Sequence, residues 1–306
     1  MTNSQWRGVG LLAIALLQAQ SQLADPELEY PAYTPKTTDL ILSRSKYMDQ
    51  LEGFWLTQCI ANWTGLITEM DKIEPPFYTD ENWDGPDERN IWGNFISTTD
   101  TIIEYYFVRN GETWAADDDT DIEYMYQHLL DVNNTSILTP EQIRDGWVHH
   151  IYSNEDAPNN ENFLWVSNET AYYLMLEGLL PPATSTPENN SHSEMIDAQL
   201  TTEIFGLFAP TRPDIALRMA NMPIQTTANG NAKWAAEFYV VMYSLASYVE
   251  NELSMKEKVF WLAKQARRVL PNGSPVAGMY DYIKESYDAN PDKNDWESTR
   301  DAVYER

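Results

Sequence analysis

Asp117-Asp118-Asp119-Thr120-Asp121 is the densest set of chemically active side chains in the sequence. Neighbouring carboxylates repel one another unless a proton or a cation neutralises them. A set made only of oxygen donors selects hard ions, magnesium, manganese or calcium, over zinc. The simplest meaning of such a run is a solvated charged surface. Its setting argues for more: it follows an apolar-aromatic stretch containing Trp114 and leads into an amphipathic helix, so its oxygens can project into a cleft. Other reactive patterns are missing. The chain has no HExxH or CxxC spacing, no GxSxG elbow and no glycine loop for phosphate. Its single cysteine, Cys59, excludes an intrachain disulfide. Cys59 lies in the mixed apolar stretch Phe54 to Ile60, which predicts a buried, unreactive thiol with no base or cation to ionise it.

The acidic run needs an element to hold it. Ile122, Met125, Leu129 and Leu130 recur at intervals of three and four, which predicts a helix with one apolar face and Asp118 or Asp119 at its N-cap. Thr139-Pro140-Glu141-Gln142 combines a capping Thr, Pro at the first position and Gln at the third, and predicts a helix running to about Ile151. Upstream, the pattern turns helical from Tyr47, with Leu51, Phe54 and Trp55 at helical spacing and Gly53 allowing close packing. Residues 74–94 and 152–162 read as loops, and Ser97 to Val108 as an apolar segment. Further helices are predicted over Phe163–Leu180, ended by Pro181-Pro182, along the face Ile196, Leu200, Ile204 and Leu207, and over Pro213–Met222. A long apolar helix over Ala232–Leu253 should be central, followed by Met255–Leu270 and Val276–Tyr287. No alternating strands and no repeat of 20 to 50 residues appear. The expected fold is all-α, one compact multi-helix domain.

The balance of 47 acidic against 20 basic residues gives a net charge of −27. That field repels phosphate backbones and excludes nucleic acid as a partner. The acids are spread along the chain, as on a solvated surface. The 11 Trp and 18 Tyr serve equally as core filling or as walls of sugar and nucleotide sites. At the N-terminus, Arg7, the apolar run Val9 to Leu17 and the small residues Ala19 and Ser21 read as a cleavable export signal over residues 1–21. The run is shorter than the roughly 20 residues a bilayer needs. A secreted or periplasmic protein, monomeric and free of membrane, is expected after cleavage. Residues 22–45 read as a polar linker, and 46–306 as the folded domain. Asn-X-Ser/Thr triplets at Asn62, Asn133, Asn134, Asn168, Asn189 and Asn272 are glycosylation acceptors only in a eukaryotic secretory pathway.

Four segments together resemble the ADP-ribosylglycohydrolase family: Tyr47 to Glu69 with its leading Ser45 and Lys46, ADDDTDIEYMYQHLL, WVSNETAYYLMLEGLLPP, and MIDAQLTTEIFGLFAPTRPDIALRMA. The resemblance implies an all-α fold that hydrolyses a glycosidic bond at the anomeric carbon of ADP-ribose conjugates with Mg2+ or Mn2+. It implies Asp118 and Asp119 as metal ligands, with Asp117 where the family usually has Thr and Thr120 matching the last Thr of its motif. Glu69 would position or deprotonate the attacking water. Asn229 and Gly230 fall where the family contacts substrate, although Thr226, Thr227 and Ala228 replace its usual His. The family's C-terminal Asp-x-Asp-(Ser/Thr) motif has no counterpart before Arg306, so the resemblance implies a domain incomplete at its C-terminus. Two other readings stand beside this one. The first is a vestigial, non-catalytic cation or ligand binder. The second is an exported all-α carbohydrate hydrolase whose two carboxylates, about 5 to 10 Å apart, work without metal and therefore in the presence of a chelator.

Overall fold

The computed structural model describes residue 34 and residues 36–95, 102–104, 111, 117–249 and 252–306. The export signal over 1–21, Trp114, and most of the linker and of the Ser97–Val108 segment lie outside these residues. Among the described residues the protein is helical throughout, and the one β-type contact is an isolated bridge between Pro86 and Ile102.

Helix α1 (Arg44–Gly65) starts three residues earlier than the apolar pattern from Tyr47 indicated. Ser43 caps it by accepting the Lys46 N–H at 3.2 Å, a polar signal that hydrophobic spacing does not register. Tyr47 donates to the Leu207 carbonyl at 2.6 Å, and Phe54 packs edge-on against Trp55 and Tyr243. Cys59 on this helix is half-buried rather than buried, because Phe54 is the only side chain of α1 that is fully covered.

Helix α2 (Asp118–Val132) and helix α3 (Pro140–His150) pack together. Their partnership rests on the spacing read in sequence: Ile122, Met125, Tyr126 and Leu129 from α2 meet Ile143 and Trp147 from α3, all buried. Trp147 Nε1 donates to the Tyr126 hydroxyl at 3.2 Å inside that core. The Thr139–Gln142 capping box forms as predicted, and α3 ends at His150 with Ile151 as its cap. Helix α4 (Val166–Leu176) is shorter than the expected Phe163–Leu180. Positive φ at Phe163 keeps the chain out of helix there, Val166 enters the helix at a positive φ of its own, and Gly178 with φ +93 closes its right end.

The face Ile196, Leu200, Ile204, Leu207 does not belong to one helix. Two short helices occupy it, α5 (Asp197–Thr201) and α6 (Ile204–Phe208). Ile196 and Leu200 are exposed, while Ile204 and Leu207 are buried. The chain breaks at Thr202–Glu203 because Glu123 of α2 accepts the Ile204 N–H at 2.8 Å, supplying from outside the bond that a continuous helix would have made within.

Helix α7 (Pro213–Thr227) runs five residues past the expected Met222, carrying Pro223 in its interior at the loss of one helical hydrogen bond. Helix α8 (Gly230–Ala246) stops short of Leu253 but holds the expected central place, packing on α5, α6, α7 and two later helices. Those are α9 (Met255–Ala266) and α10 (Pro275–Ala289), the latter a little longer at each end than Val276–Tyr287. Helix α11 (Trp296–Tyr304), which the sequence reading left out, packs on α10 and is capped by Asp295. The core lies among α2 to α8, whereas α9, α10 and α11 contribute little beyond Ala266 and Ala277.

Candidate functional site

The acidic run opens α2. Asp117, rather than Asp118 or Asp119, is the N-cap: its Oδ1 accepts the Thr120 N–H at 3.2 Å, and its Oδ2 accepts from Asn62 Nδ2 of α1. The extended backbone of Asp117 is what a cap requires, so Asp118, Asp119 and Asp121 stand in the first helical turn, where free N–H groups favour negative charge. That favour is small beside what opposes it. Burial, followed by the charges of Asp117 and Asp197, pushes Asp118 up to about 7. Burial, then Asp118, Asp117, Asp197 and Glu123, pushes Asp119 up to about 9. The charges acting on this pair belong to carboxylates at the cap of α2, within α2 and on α5.

Asp197, the first residue of α5, is the member the sequence reading did not select. It is buried, its Oδ1 accepts the Asn168 N–H at 2.9 Å, and its Oδ2 has no partner among the described residues. The Asn168 Oδ1 and Ser167 Oγ beside it are also unpartnered and buried. Buried oxygens without donors are costly, and together they form a surface suited to a positive guest. Burial of Asn168 removes it as a glycan acceptor, and Asn62 is engaged with Asp117.

Glu69 follows a single 3-10 turn, Leu66–Thr68, at the end of α1 and is exposed. Loss of water around its carboxyl, and then the charge of Asp117, push its pKa upward, which places it in electrostatic range of the acidic run. The same two influences raise the Cys59 thiol, so it stays protonated and unreactive. Thr120 is half-buried in the first turn of α2, its N–H used by Asp117.

Asn229 and Gly230 sit at the start of α8. Asn229 is its N-cap, with Oδ1 accepting the Gly230 N–H at 2.6 Å. Gly230 has φ +52, and a Cβ there would stand 2.1 Å from Glu194 Oε1, which instead accepts the Asn231 N–H at 3.1 Å. Both residues therefore serve the geometry of a helix start. Asn229 also ties to the 190s loop by donating its N–H to Ser193 O at 2.8 Å.

Behind Asp119 lies a second acidic pair absent from the sequence reading. Glu123 is fully buried, accepting from Gln58 of α1 and from the Ile204 N–H. Glu203 lies against it, and burial followed by the Glu123 charge pushes Glu203 well above the carboxylate range. The two carboxyls act on one another, and burial with the Glu123 charge favours a proton on Glu203. A signal was available: Glu123 occupies the apolar face of α2, three residues before buried Tyr126, and a charged residue on such a face calls for a buried partner.

The donor set fits a hard divalent cation in chemistry and in charge: oxygen only, mutually repelling, with an orphaned carboxylate oxygen on Asp197. In spacing, no three His, Cys, Asp or Glu side chains among the described residues are gathered closely enough to hold a metal ion. A cavity of about 550 Å³ opens beside Asp118 and Asp121, between α2, the end of α3 and the 152–164 loop. Among the described residues, no helix is long and apolar enough to cross a membrane. Comparison of the chain with protein-family models, curated proteins and solved structures returned no match.

Proposed function

We propose that this protein is a divalent-cation-dependent hydrolase acting on a glycosidic bond of ADP-ribose conjugates, with its centre at the start of α2. The observation that supports this most is the raised Asp118–Asp119 pair within electrostatic range of Asp197, whose buried Oδ2 is unpartnered among the described residues. Such a cluster holds protons in place of a cation and exchanges them for one when a cation is present. Asp117, Asp118, Asp119 and Asp197 would have to draw closer than they stand here to hold Mg2+ or Mn2+, with the Thr120 hydroxyl alongside. A bound cation supplies orientation of the ribose hydroxyls and offsets charge as the bond breaks.

The chain's own groups do the rest. Glu69, exposed and of raised proton affinity, takes the proton of the attacking water. Asp117 fixes the start of α2 through Thr120 and Asn62, which places Asp118 at the cleft. The Glu123–Glu203 pair anchors α2 to α1 and α6 behind them. Export through residues 1–21 belongs to the same reading, as do a small-molecule or protein-linked ADP-ribose partner and a monomeric state.

Calorimetric titration of magnesium and manganese into the mature chain tests the centre. Saturable binding by the natural chain, lost in an Asp118→Ala, Asp119→Ala variant, followed by metal-dependent release of ADP-ribose, is the expected result. Release that persists in EDTA would transfer the activity to a metal-free pair of carboxylates. The open spacing of the acidic side chains favours a second reading, a vestigial, non-catalytic scaffold that turns nothing over. Cation binding without release from any conjugate would establish it.

A further inference from the structure

The cavity beside Asp118 combines aromatic and acidic walls. Tyr124, Tyr152 and Phe163 present their rings to it, and they are 61%, 64% and 59% exposed. Large aromatic side chains left this open are held for contact with something other than the protein's own core. Phe163 is held there at a cost: its φ is +58, a left-handed backbone that an aromatic residue rarely adopts. The 152–164 loop is braced to keep it so, with Asn162 donating to the Tyr152 carbonyl at 3.0 Å and accepting the Leu164 N–H at 3.1 Å.

The charged groups lining this cavity are Asp118 and Asp121 on α2 and Glu161 on the loop, with no lysine or arginine among its lining residues. Its imidazoles, His128 and His150, stand edge to face at 5.1 Å. Burial, then His149 and His128, hold His150 below the usual imidazole range, so it is neutral at neutral pH and does not oppose a cation. Aromatic faces and carboxylates without a counter-charge are complementary to a planar positive ring, through cation–π attraction and charge. A volume of about 550 Å³ admits such a ring together with the sugar that bears it.

We propose that this cavity is the leaving-group pocket of the site and that it takes a cationic heteroaromatic ring, so that the conjugate cleaved is a pyridinium N-riboside of the nicotinamide-dinucleotide type. The proposal rests on the hydrolase reading above and specifies its substrate class. The reaction balances without a proton donor for the leaving group. The water oxygen bonds to the anomeric carbon, the carbon–nitrogen bond breaks, and its electron pair neutralises the pyridinium nitrogen. One water proton passes to Glu69 and then to solvent; the products are ADP-ribose and a neutral pyridine. A leaving group that needs no proton agrees with a pocket whose His150 imidazole is neutral.

The test uses the full mature chain and two probes of the same shape, the 1-methylnicotinamide cation and neutral nicotinamide, titrated calorimetrically. The cation should bind about tenfold more tightly than the neutral ring, the ratio expected of one or two good cation–π contacts. A Tyr152→Ala, Phe163→Ala variant should lose about tenfold in cation affinity while retaining its thermal unfolding, since both rings are on the surface. Nicotinamide release from NAD+ with manganese should fall in parallel. Equal affinity for the two probes, or a cation affinity indifferent to the double variant, overturns the pocket assignment. ADP-ribose binding with magnesium is measured alongside: its presence without preference for the cation sinks the pocket alone, whereas its absence together with no release from any conjugate sinks the hydrolase reading.

Discussion

At the residue scale, the site is governed by carboxylates that would rather be neutral. Asp118 and Asp119 have folded-state values raised to about 7 and about 9, above an ordinary aspartate. The folded chain therefore binds more protons than the unfolded one between about pH 4 and 9, and stability falls as pH rises through that window. Thermal unfolding in EDTA should show Tm declining from pH 5 to pH 9. Replacing Asp119 by Asn removes a carboxyl that the fold must keep protonated at pH 8, and should raise Tm there by roughly 2–4 °C while flattening the pH dependence. Added magnesium should raise Tm far more at pH 8 than at pH 5, where the ligands hold protons. An Asp119→Asn protein less stable than the natural chain at pH 8 would show that Asp119 is needed as a charge within the fold. The acidic run was plain in the sequence because its members are adjacent. Asp197 and Glu203 were not, since what makes them partners of α2 is a chain reversal some 80 residues long that no local pattern announces.

Single helices show the same division between local and distant causes. The Thr139–Gln142 box was legible because a cap and its partner are three residues apart and settle the matter between themselves. Thr139→Ala should cost about 1 kcal/mol, measured by urea unfolding, and Ser at the same position should restore most of it. The split between α5 and α6 was illegible for the opposite reason: apolar spacing continues through it, and the bond that breaks the helix comes from Glu123. Glycine sits where elements come closest. At Gly230, φ of +52 and the Glu194 carboxylate leave no room for a side chain, so Gly230→Ala should weaken the start of α8 by about 1–2 kcal/mol or displace Glu194. Helix α4 illustrates a third kind of limit, an end set by backbone strain at Phe163 that residue type argues against.

For the molecule as a whole, α8 is the element on which α5, α6, α7, α9 and α10 all pack. Gly206 of α6 touches it so closely that a Cβ would lie 2.5 Å from the Val240 carbonyl and 2.7 Å from Tyr243 Cβ. Gly206→Ala should therefore force the helices apart and destabilise the fold by about 1–3 kcal/mol in urea titration. The central place of this helix was readable from its length and its high apolar content, although Tyr239 stays exposed on one side. The net charge of −27 acts over the same scale: self-repulsion is screened by salt, so the natural chain should unfold at higher temperature in 0.5 M sodium chloride than at low ionic strength.

The uneven distribution of burial across α8 has a kinetic consequence. On one side it is locked to α5, α6 and α7 through Ala232, Ala236, Val240 and Ser244; on the other it meets α9 and α10, which bury little else. Amide protons of α9 to α11 should exchange with deuterium early and together, as one subunit of structure that detaches while the rest stays closed. Those of α8 should be among the last to exchange, marking the same helix as the floor of one opening event and the core of the next.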